Sequence, residues 1–367
     1  MKITKYGHLI IIFLIILCTL SIILYNYYKN SLNLQNEMII ARIGEPYLME
    51  DTISPFNCRL TADYANQNGG LSYLHEETDA KNRQLIHDYY KDSFDKTLPN
   101  DTKIVFGGGT TMMIAACYYA LHKKLNRAID VKTNSKVCYV LHKKMTKIVP
   151  EINWKEANMY ADLSVIVSPS NPLGVITDAQ SLKEKYILYD VVYDKYIFTG
   201  QKHSVNESLY EEFAKNPGVF IACSFSKLGI AGVRFGFLLT RDEEIAKYAK
   251  EYVDIISVTY PTSNATVARL AYYKHFNKSS FDIYIYKKLE ARKAFFLEHA
   301  PKHGIKLLNI GYIIPYIYTD KSVEWWIETF NVETRPGEDF DDTNEHSRFN
   351  IMISDKYWNE FMRRFRM

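Results

Sequence analysis

A series of short apolar runs, each closing on glycine, proline or a polar side chain, constrains this chain more than any other feature of its sequence. Lys103–Phe106 ends at Gly107-Gly108-Gly109-Thr110, and Leu163–Val167 ends at Ser168-Pro169-Ser170-Asn171-Pro172. Tyr186–Val192 carries Asp190, Val219–Cys223 leads into Ser224-Phe225-Ser226-Lys227, and Phe235–Thr240 follows a Gly-rich stretch. Val137–Leu141 alternates like a further strand, while Met112–Leu125 reads as a helix with a largely apolar face. Short strands separated by helical segments predict an α/β fold with a mostly parallel central sheet sandwiched by helices. From about residue 243 the chain is richer in helix formers, and Ile313–Tyr318 and Arg348–Ser354 predict strands of a smaller α+β domain.

The amino terminus has a different character. Leu9–Leu24 is an uncharged apolar run, flanked by Gly7 and His8 before it and by Tyr25, Tyr27, Tyr28 and Lys29 after it. With its flanks it approaches the roughly 20 residues that span a bilayer as a helix. A cleaved signal peptide would end on small residues, whereas this run ends on bulky ones. The expectation is therefore an uncleaved transmembrane signal anchor over 8–28, followed by a polar linker over 29–36. Lys2 and Lys5 precede the run, which leans to a cytoplasmic amino terminus and a folded part on the lumenal or external side. The folded part is expected as an N-terminal segment of the small domain over 37–60, a large domain over 61–265 and the rest of the small domain over 266–367.

Charge and cysteine usage exclude several classes. Lys plus Arg total 45 against 42 for Asp plus Glu, a net charge of +3 with no basic arm, so nucleic acid is not an expected partner. Cys18, Cys58, Cys117, Cys138 and Cys223 are scattered without a CxxC, which speaks against a disulfide framework and against a zinc site.

In open α/β sheets ligands sit beyond the carboxyl ends of the strands, and the unusual residues of this chain fall there. A lysine such as Lys227, just after a buried strand, is partly desolvated; desolvation favours the neutral amine, which forms an imine with an aldehyde. Ser224 and Ser226 beside it, and Arg234 with its fork of donors, suit a phosphate. Gly109, Thr110 and Thr111 open a helix, where backbone N–H groups make an anion site. The turn at Ser168–Gly174 is shaped by its prolines and can hold the Asn171 amide over a ligand. Asp190 suits a pyridinium N–H, and Tyr193 suits a phenolate oxygen. Each group has a plainer reading as well: a solvated loop lysine, an ordinary turn, a loop carboxylate, a packed aromatic.

Taken in order, these groups resemble the fold-type I pyridoxal-5′-phosphate (PLP) enzymes, the aminotransferase-like superfamily. Within it, Ser168–Gly174, Tyr189–Phe198 and Ser224–Leu239 resemble the alliinase C-terminal-domain family, which includes alliinases and plant tryptophan aminotransferases. Ile40–Pro46, Arg335–Phe340 and Ser347–Ile351 look like that family's opening and closing motifs, so the resemblance runs from about Ile39 to Ile353. It implies that 61–265 is the PLP-binding domain. Lys227 would carry the cofactor as a Schiff base and shuttle the proton, with Tyr193 beside it; Asp190 would pair with the ring nitrogen. Asn171 and Tyr193 would bond the phenolic oxygen, and Gly109, Thr110, Thr111, Ser224 and Arg234 would hold the phosphate. Arg348 would grip the substrate α-carboxylate, with Asn171 and Gly44 in the substrate site and Tyr73 reaching a partner subunit's cofactor in a homodimer.

Three positions depart from the family pattern. Arg234 follows Lys227 by seven residues rather than eight, Met112 stands where a Gln is usual, and Val137–Met145 lacks the Pro-aromatic segment, leaving Tyr139 as the candidate ring-stacking residue. The expected activity is transamination between an L-α-amino acid and a 2-oxo acid. The absence of a cysteine-rich module like that of plant alliinases tips the expectation away from C–S β-elimination. A catalytically inactive, membrane-anchored binding protein of the same fold is the third alternative.

Overall fold

The computed structural model describes residues 19–20, 37–43, 76–178, 184–200, 204–309 and 314–367. Strand β1 (Ile39–Ile40) comes first, then helix α1 (Glu76–Phe94), β2 (Lys103–Gly107), α2 (Thr110–Leu125) and β3 (Ile129–Thr133). A short helix α3 (Leu141–Met145) leads to β4 (Ile152–Trp154), β5 (Leu163–Val167) and β6 (Tyr186–Asp190). Helices α4 (Tyr196–Thr199) and α5 (Glu207–Lys215) precede β7 (Val219–Ser224). Two 3₁₀ turns, Phe225–Leu228 and Ala231–Val233, separate β7 from β8 (Gly236–Thr240). Helices α6 (Glu243–Ser257), α7 (Thr262–Ala271) and α8 (Ser279–His299) lead to β9 (Tyr316–Thr319), α9 (Val323–Phe330), β10 (Val332–Glu333), β11 (Arg335–Pro336), β12 (Ser347–Asn350) and α10 (Asp355–Arg366).

The large sheet has the order β2-β8-β7-β6-β5-β3-β4. β4, β3, β5, β6 and β7 are mutually parallel, and β8 runs antiparallel between β7 and β2. The carboxyl ends of β2, β7, β6 and β5 therefore share one edge with the amino end of β8. The register states this residue by residue: Gly107 and Ser224 both face Gly236, Asp190 faces Ala222, and Val167 faces Asp190. Every residue of β5, β7 and β8 is buried, because helices cover both faces of the sheet.

The helices are ended by local chemistry. Asp242 caps α6 by accepting from the amides of Glu244 and Ile245, and Ser354 caps α10 by accepting from Tyr357 N. Helix α2 stops at Asn126, which takes the left-handed conformation that closes helices.

β11, β12 and β9 form a separate antiparallel sheet, and β1 pairs with β10. Its core is aromatic: Phe296, Phe349, Phe361 and Phe365 surround the fully buried Trp326, with Trp326 and Phe365 stacked at 6.0 Å. Burying one such ring is worth about 1.5–3 kcal/mol. Truncating Phe361 to Ala would cost about 3–5 kcal/mol, since the cavity adds to the lost transfer energy.

Two strand expectations change. Val137–Leu141 is not a strand: the amides of Cys138 and Val140 donate to the carbonyls of Phe340 and Asp339, after which the chain turns into α3. Two of its backbone amides are satisfied by the second layer rather than by a sheet neighbour. The strand in this region is β3, whose charged positions are paired, Lys132 with Glu184 at 2.6 Å and Asp130 with Lys155 at 3.4 Å. The strand expected over Arg348–Ser354 is shifted to Ser347–Asn350 and turns after Asn350.

Among the described residues no helix is long and apolar enough to cross a membrane. The anchor expected over 8–28 and the linker over 29–36 lie outside the described residues, Thr19 and Leu20 excepted, as do Gly44 and Tyr73.

Candidate active site

A cleft of about 350 Å³ opens at the shared edge of the large sheet, closed on its far side by β9, β11 and β12. Thr110, Thr111, Asn171, Asp190, Tyr193, Ser224, Lys227, Arg234 and Arg348, all expected at the site, line it together. Gly109 lies directly against Arg234.

One end of the cleft is an anion cradle. Gly109 precedes α2 with φ 89°, and a Cβ there would come within 2.5 Å of Arg234 Nη2. A Cβ on Gly236 would come within 2.6 Å of Gly109 Cα, so Gly236 permits the close approach of the Gly109 turn to β8. Arg234 takes a left-handed conformation, φ 53°, at the end of the second 3₁₀ turn. That geometry compensates for the short spacing: its guanidinium reaches back to donate to Gly108 O and Ala231 O, both at 3.1 Å, and to Ser226 Oγ at 3.4 Å. Met112 uses its sulfur to accept from Gly108 N at 3.1 Å. Thr110 Oγ1 is buried with no partner among the described residues. An orphaned buried hydroxyl at a helix N-terminus, beside an arginine, is what a bound phosphate would satisfy.

Asp190 ends β6 half-buried, with Oδ1 accepting from Val192 N at 3.3 Å. Burial pushes its carboxyl up to about 7, against the Val192 amide and the charge of Lys227, which favour the ionised form. A ring N–H would give this carboxylate a second donor beside the Val192 amide.

Lys227 sits in the 3₁₀ turn after β7, its Nζ 5.8 Å from the centre of the Tyr193 ring and hydrogen-bonded to the Tyr316 hydroxyl. Tyr193 and Tyr316 are both buried, edge to face at 5.6 Å, with their hydroxyls 2.9 Å apart. Burial works to raise the Tyr316 phenol, yet the charges of Lys227 and Arg348 and its hydrogen bonds to Tyr193 and Lys227 outweigh it and leave it below its usual range. Tyr193 moves the other way, pushed up by burial and then by Tyr316.

The third end belongs to Arg348, on β12. It is buried, donates from Nη1 to Asn171 Oδ1 at 2.9 Å and from Nη2 to Arg42 O at 3.1 Å, and lies over the Tyr316 ring at 3.9 Å. Its Nε is buried without a partner among the described residues. A buried guanidinium with a donor to spare suits a carboxylate.

Tyr316, Arg335 and His142 also line the cleft, and sequence reasoning gave them no role there. Tyr316 stood within an expected strand and Arg335 within a quoted motif, but nothing local pointed either side chain inward; His142 carried no signal. Tyr139, the candidate stacking residue, does line the cleft, and its hydroxyl accepts from Arg335 Nη2 at 3.2 Å.

The alliinase C-terminal family model, described as Allinase, matches residues 57–288. A 1-aminocyclopropane-1-carboxylate synthase of Cucurbita pepo is 25% identical over 244 residues, 57% of this chain and 48% of the synthase. A (5-formylfuran-3-yl)methyl phosphate transaminase of Methanocaldococcus jannaschii is 24% identical over 257 residues, 65% of this chain and 66% of the transaminase. The chain thus spans about half the length of the first of these relatives. In structure it is similar to a Methanococcus jannaschii protein with an active site like that of kynurenine aminotransferases (TM-score 0.70, 18% identity, 95% of each chain). It is equally similar to an aromatic aminotransferase of Pyrococcus horikoshii (TM-score 0.70, 17% identity, 90% of this chain and 94% of the other). At these identities the structural likeness establishes the fold.

Proposed function

The chain belongs to the alliinase family of PLP enzymes, and from that premise we propose that it is an aminotransferase moving the amino group of an L-α-amino acid to a 2-oxo acid. The observation that carries the reading is Lys227 within one cleft with Asp190, the Tyr193–Tyr316 pair and Arg348. In this reading Gly109, Thr110, Thr111, Ser224 and Arg234 hold the cofactor phosphate, Asp190 holds the proton on the ring nitrogen, and Lys227 is the point of covalent attachment. When bound, PLP supplies the electron sink that lets the Cα–H bond of an amino acid break.

The chain's own residues then govern the proton. Arg348 takes the substrate carboxylate with its Nε, which has no partner among the described residues, and Asn171 fixes the guanidinium from behind. That grip sets the Cα–H direction, which is how positioning lowers the barrier. The Lys227 amine would act as the general base that takes the proton from the substrate Cα and holds it for return. Tyr316 holds that amine by its hydroxyl and Tyr193 holds Tyr316.

The same residues serve elimination, and the family's description is that of a lyase, so C–S β-elimination is the second reading. Purified full-length protein, given PLP and amino acids with and without pyruvate or 2-oxoglutarate, separates the two. Acceptor-dependent oxo-acid formation supports transamination. Oxo acid formed from S-substituted cysteines without acceptor, with release of a thiol or sulfenate, sinks it.

Membrane attachment belongs to the same proposal: Leu9–Leu24 anchors the enzyme, with its folded part on the lumenal or external side. Resistance to alkaline carbonate extraction, and protection of the folded part from protease added outside intact vesicles, test this. Pairing into a homodimer is proposed likewise, and a sedimentation mass of a single chain in detergent would overturn it.

A further inference from the structure

Arg335 stands directly across from Arg348 in the β11–β12 ladder, so both side chains leave the same face of the sheet. Both enter the cleft, and both guanidinium carbons lie near the Phe340 ring, at 6.0 Å for Arg335 and 5.1 Å for Arg348. Like charges placed opposite one another in a ladder are destabilising, and here burial and, beyond it, the charge of Arg335 make Arg348 harder to keep charged. An arrangement that costs stability and gathers positive charge in a cleft suits an anion brought there by a ligand.

The charges of the cleft can be assigned one by one. Its lining carries Lys227, Arg234, Arg335 and Arg348 against the single carboxylate of Asp190. In the proposed reading Arg234 meets the phosphate, Lys227 the cofactor carbon and Arg348 the α-carboxylate. Arg335 is left over. It is also held rather than loose: Asp339 accepts from its Nε at 2.9 Å, the Tyr139 hydroxyl accepts from Nη2 at 3.2 Å, and the Tyr139 ring lies 4.8 Å beneath its Cζ. No partner among the described residues takes Nη1. A guanidinium fixed on one edge and stacked on one face presents its remaining donors in a set direction, as carboxylate recognition requires.

We propose that Arg335 is a specificity-determining residue that receives the second acidic group of a dicarboxylic substrate, so that glutamate or aspartate, and the corresponding 2-oxo acids, are the substrate class. The turnover part rests on the aminotransferase reading above; the binding part does not.

The experiment uses the PLP-loaded full-length protein with Arg335→Gln and Arg335→Lys. Glutarate, an unreactive dicarboxylate, is titrated against the visible band of the cofactor, and kcat/KM is measured for glutamate and for alanine. The wild type should bind glutarate and favour glutamate. Arg335→Gln should weaken glutarate binding and lower the glutamate-to-alanine ratio by about 30-fold or more, mostly through KM, the scale of a lost hydrogen bond to a charged group. Arg335→Lys should fall between. Equal glutarate affinity in wild type and Arg335→Gln, or a wild type that favours alanine, overturns the proposal. Because glutarate binding needs no turnover, absence of transamination with intact Arg335-dependent binding would remove the aminotransferase reading and leave the anion site standing.

Discussion

Tyr193 and Tyr316 meet hydroxyl to hydroxyl at 2.9 Å on the floor of the cleft, although 123 positions separate them in the chain. Tyr316 touches Tyr193 and Lys227, which follow strands of the large sheet, and Arg348, which lies on β12. Tyr316→Phe keeps the ring under Arg348 and removes only the hydroxyl. The expected result is a folded, cofactor-bound protein whose kcat falls about three- to tenfold, the scale of one neutral hydrogen bond. Steady-state kinetics beside a thermal melt check this; a large loss of stability with unchanged kcat would make the hydroxyl structural.

Lys227→Ala should abolish the visible absorption that PLP acquires on covalent attachment, while far-UV circular dichroism stays unchanged. A variant that keeps the band of the wild type removes Lys227 from its assigned role.

Asp190 gives a pH signature in the cofactor-free protein. Burial raises its carboxyl from the ordinary 3.8 to about 7, so between those values the folded state holds a proton that the unfolded state has lost. Stability from this group is full below 3.8 and is lost as pH rises through 7. Asp190→Asn, which cannot ionise, should therefore melt higher than the wild type at pH 8, with the difference vanishing near pH 4. A lower melting temperature for the variant at pH 8 would contradict the buried-carboxyl account.

His142 acts in the opposite sense. It is buried, and burial lowers its imidazole from 6.5 to about 4, so the unfolded state binds the extra proton between those values. Stability is full above 6.5 and falls with acidification toward 4, by up to about 1.4 kcal/mol per pH unit. His142→Gln should lessen the acid sensitivity between pH 6 and 4.5 in urea titrations. Parallel curves for the two proteins would refute this.

Gly109→Ala places a Cβ 2.5 Å from Arg234 Nη2 at φ 89°. Arg234 can swing away, so the fold should survive while PLP affinity drops by about tenfold or more through loss of the phosphate contact. Gly236→Ala meets backbone at 2.6 Å, which cannot yield, and should fail to accumulate as soluble protein. Equilibrium dialysis of PLP and expression yield check the pair.

Local chemistry was enough to locate the half of the site that lies at strand ends. An apolar run followed by Gly109-Thr110, by Asn171, by Asp190 or by Lys227 reports a buried strand and its terminal turn within a few residues, because burial and turn geometry are short-range properties of the chain. The edge on which they converge followed from the parallel arrangement that such runs impose. Arg348 came from its motif, not from spacing. What only the tertiary structure decided is the opposite wall. Tyr316, Arg335 and Tyr139 lie on segments whose sequences fit ordinary strands and loops, and their direction is set by the β11–β12–β9 register and by where that layer rests on the large sheet. The misread Val137–Leu141 has the same cause: its amides are satisfied by Asp339 and Phe340, about two hundred residues away, and no local pattern records so distant a partner.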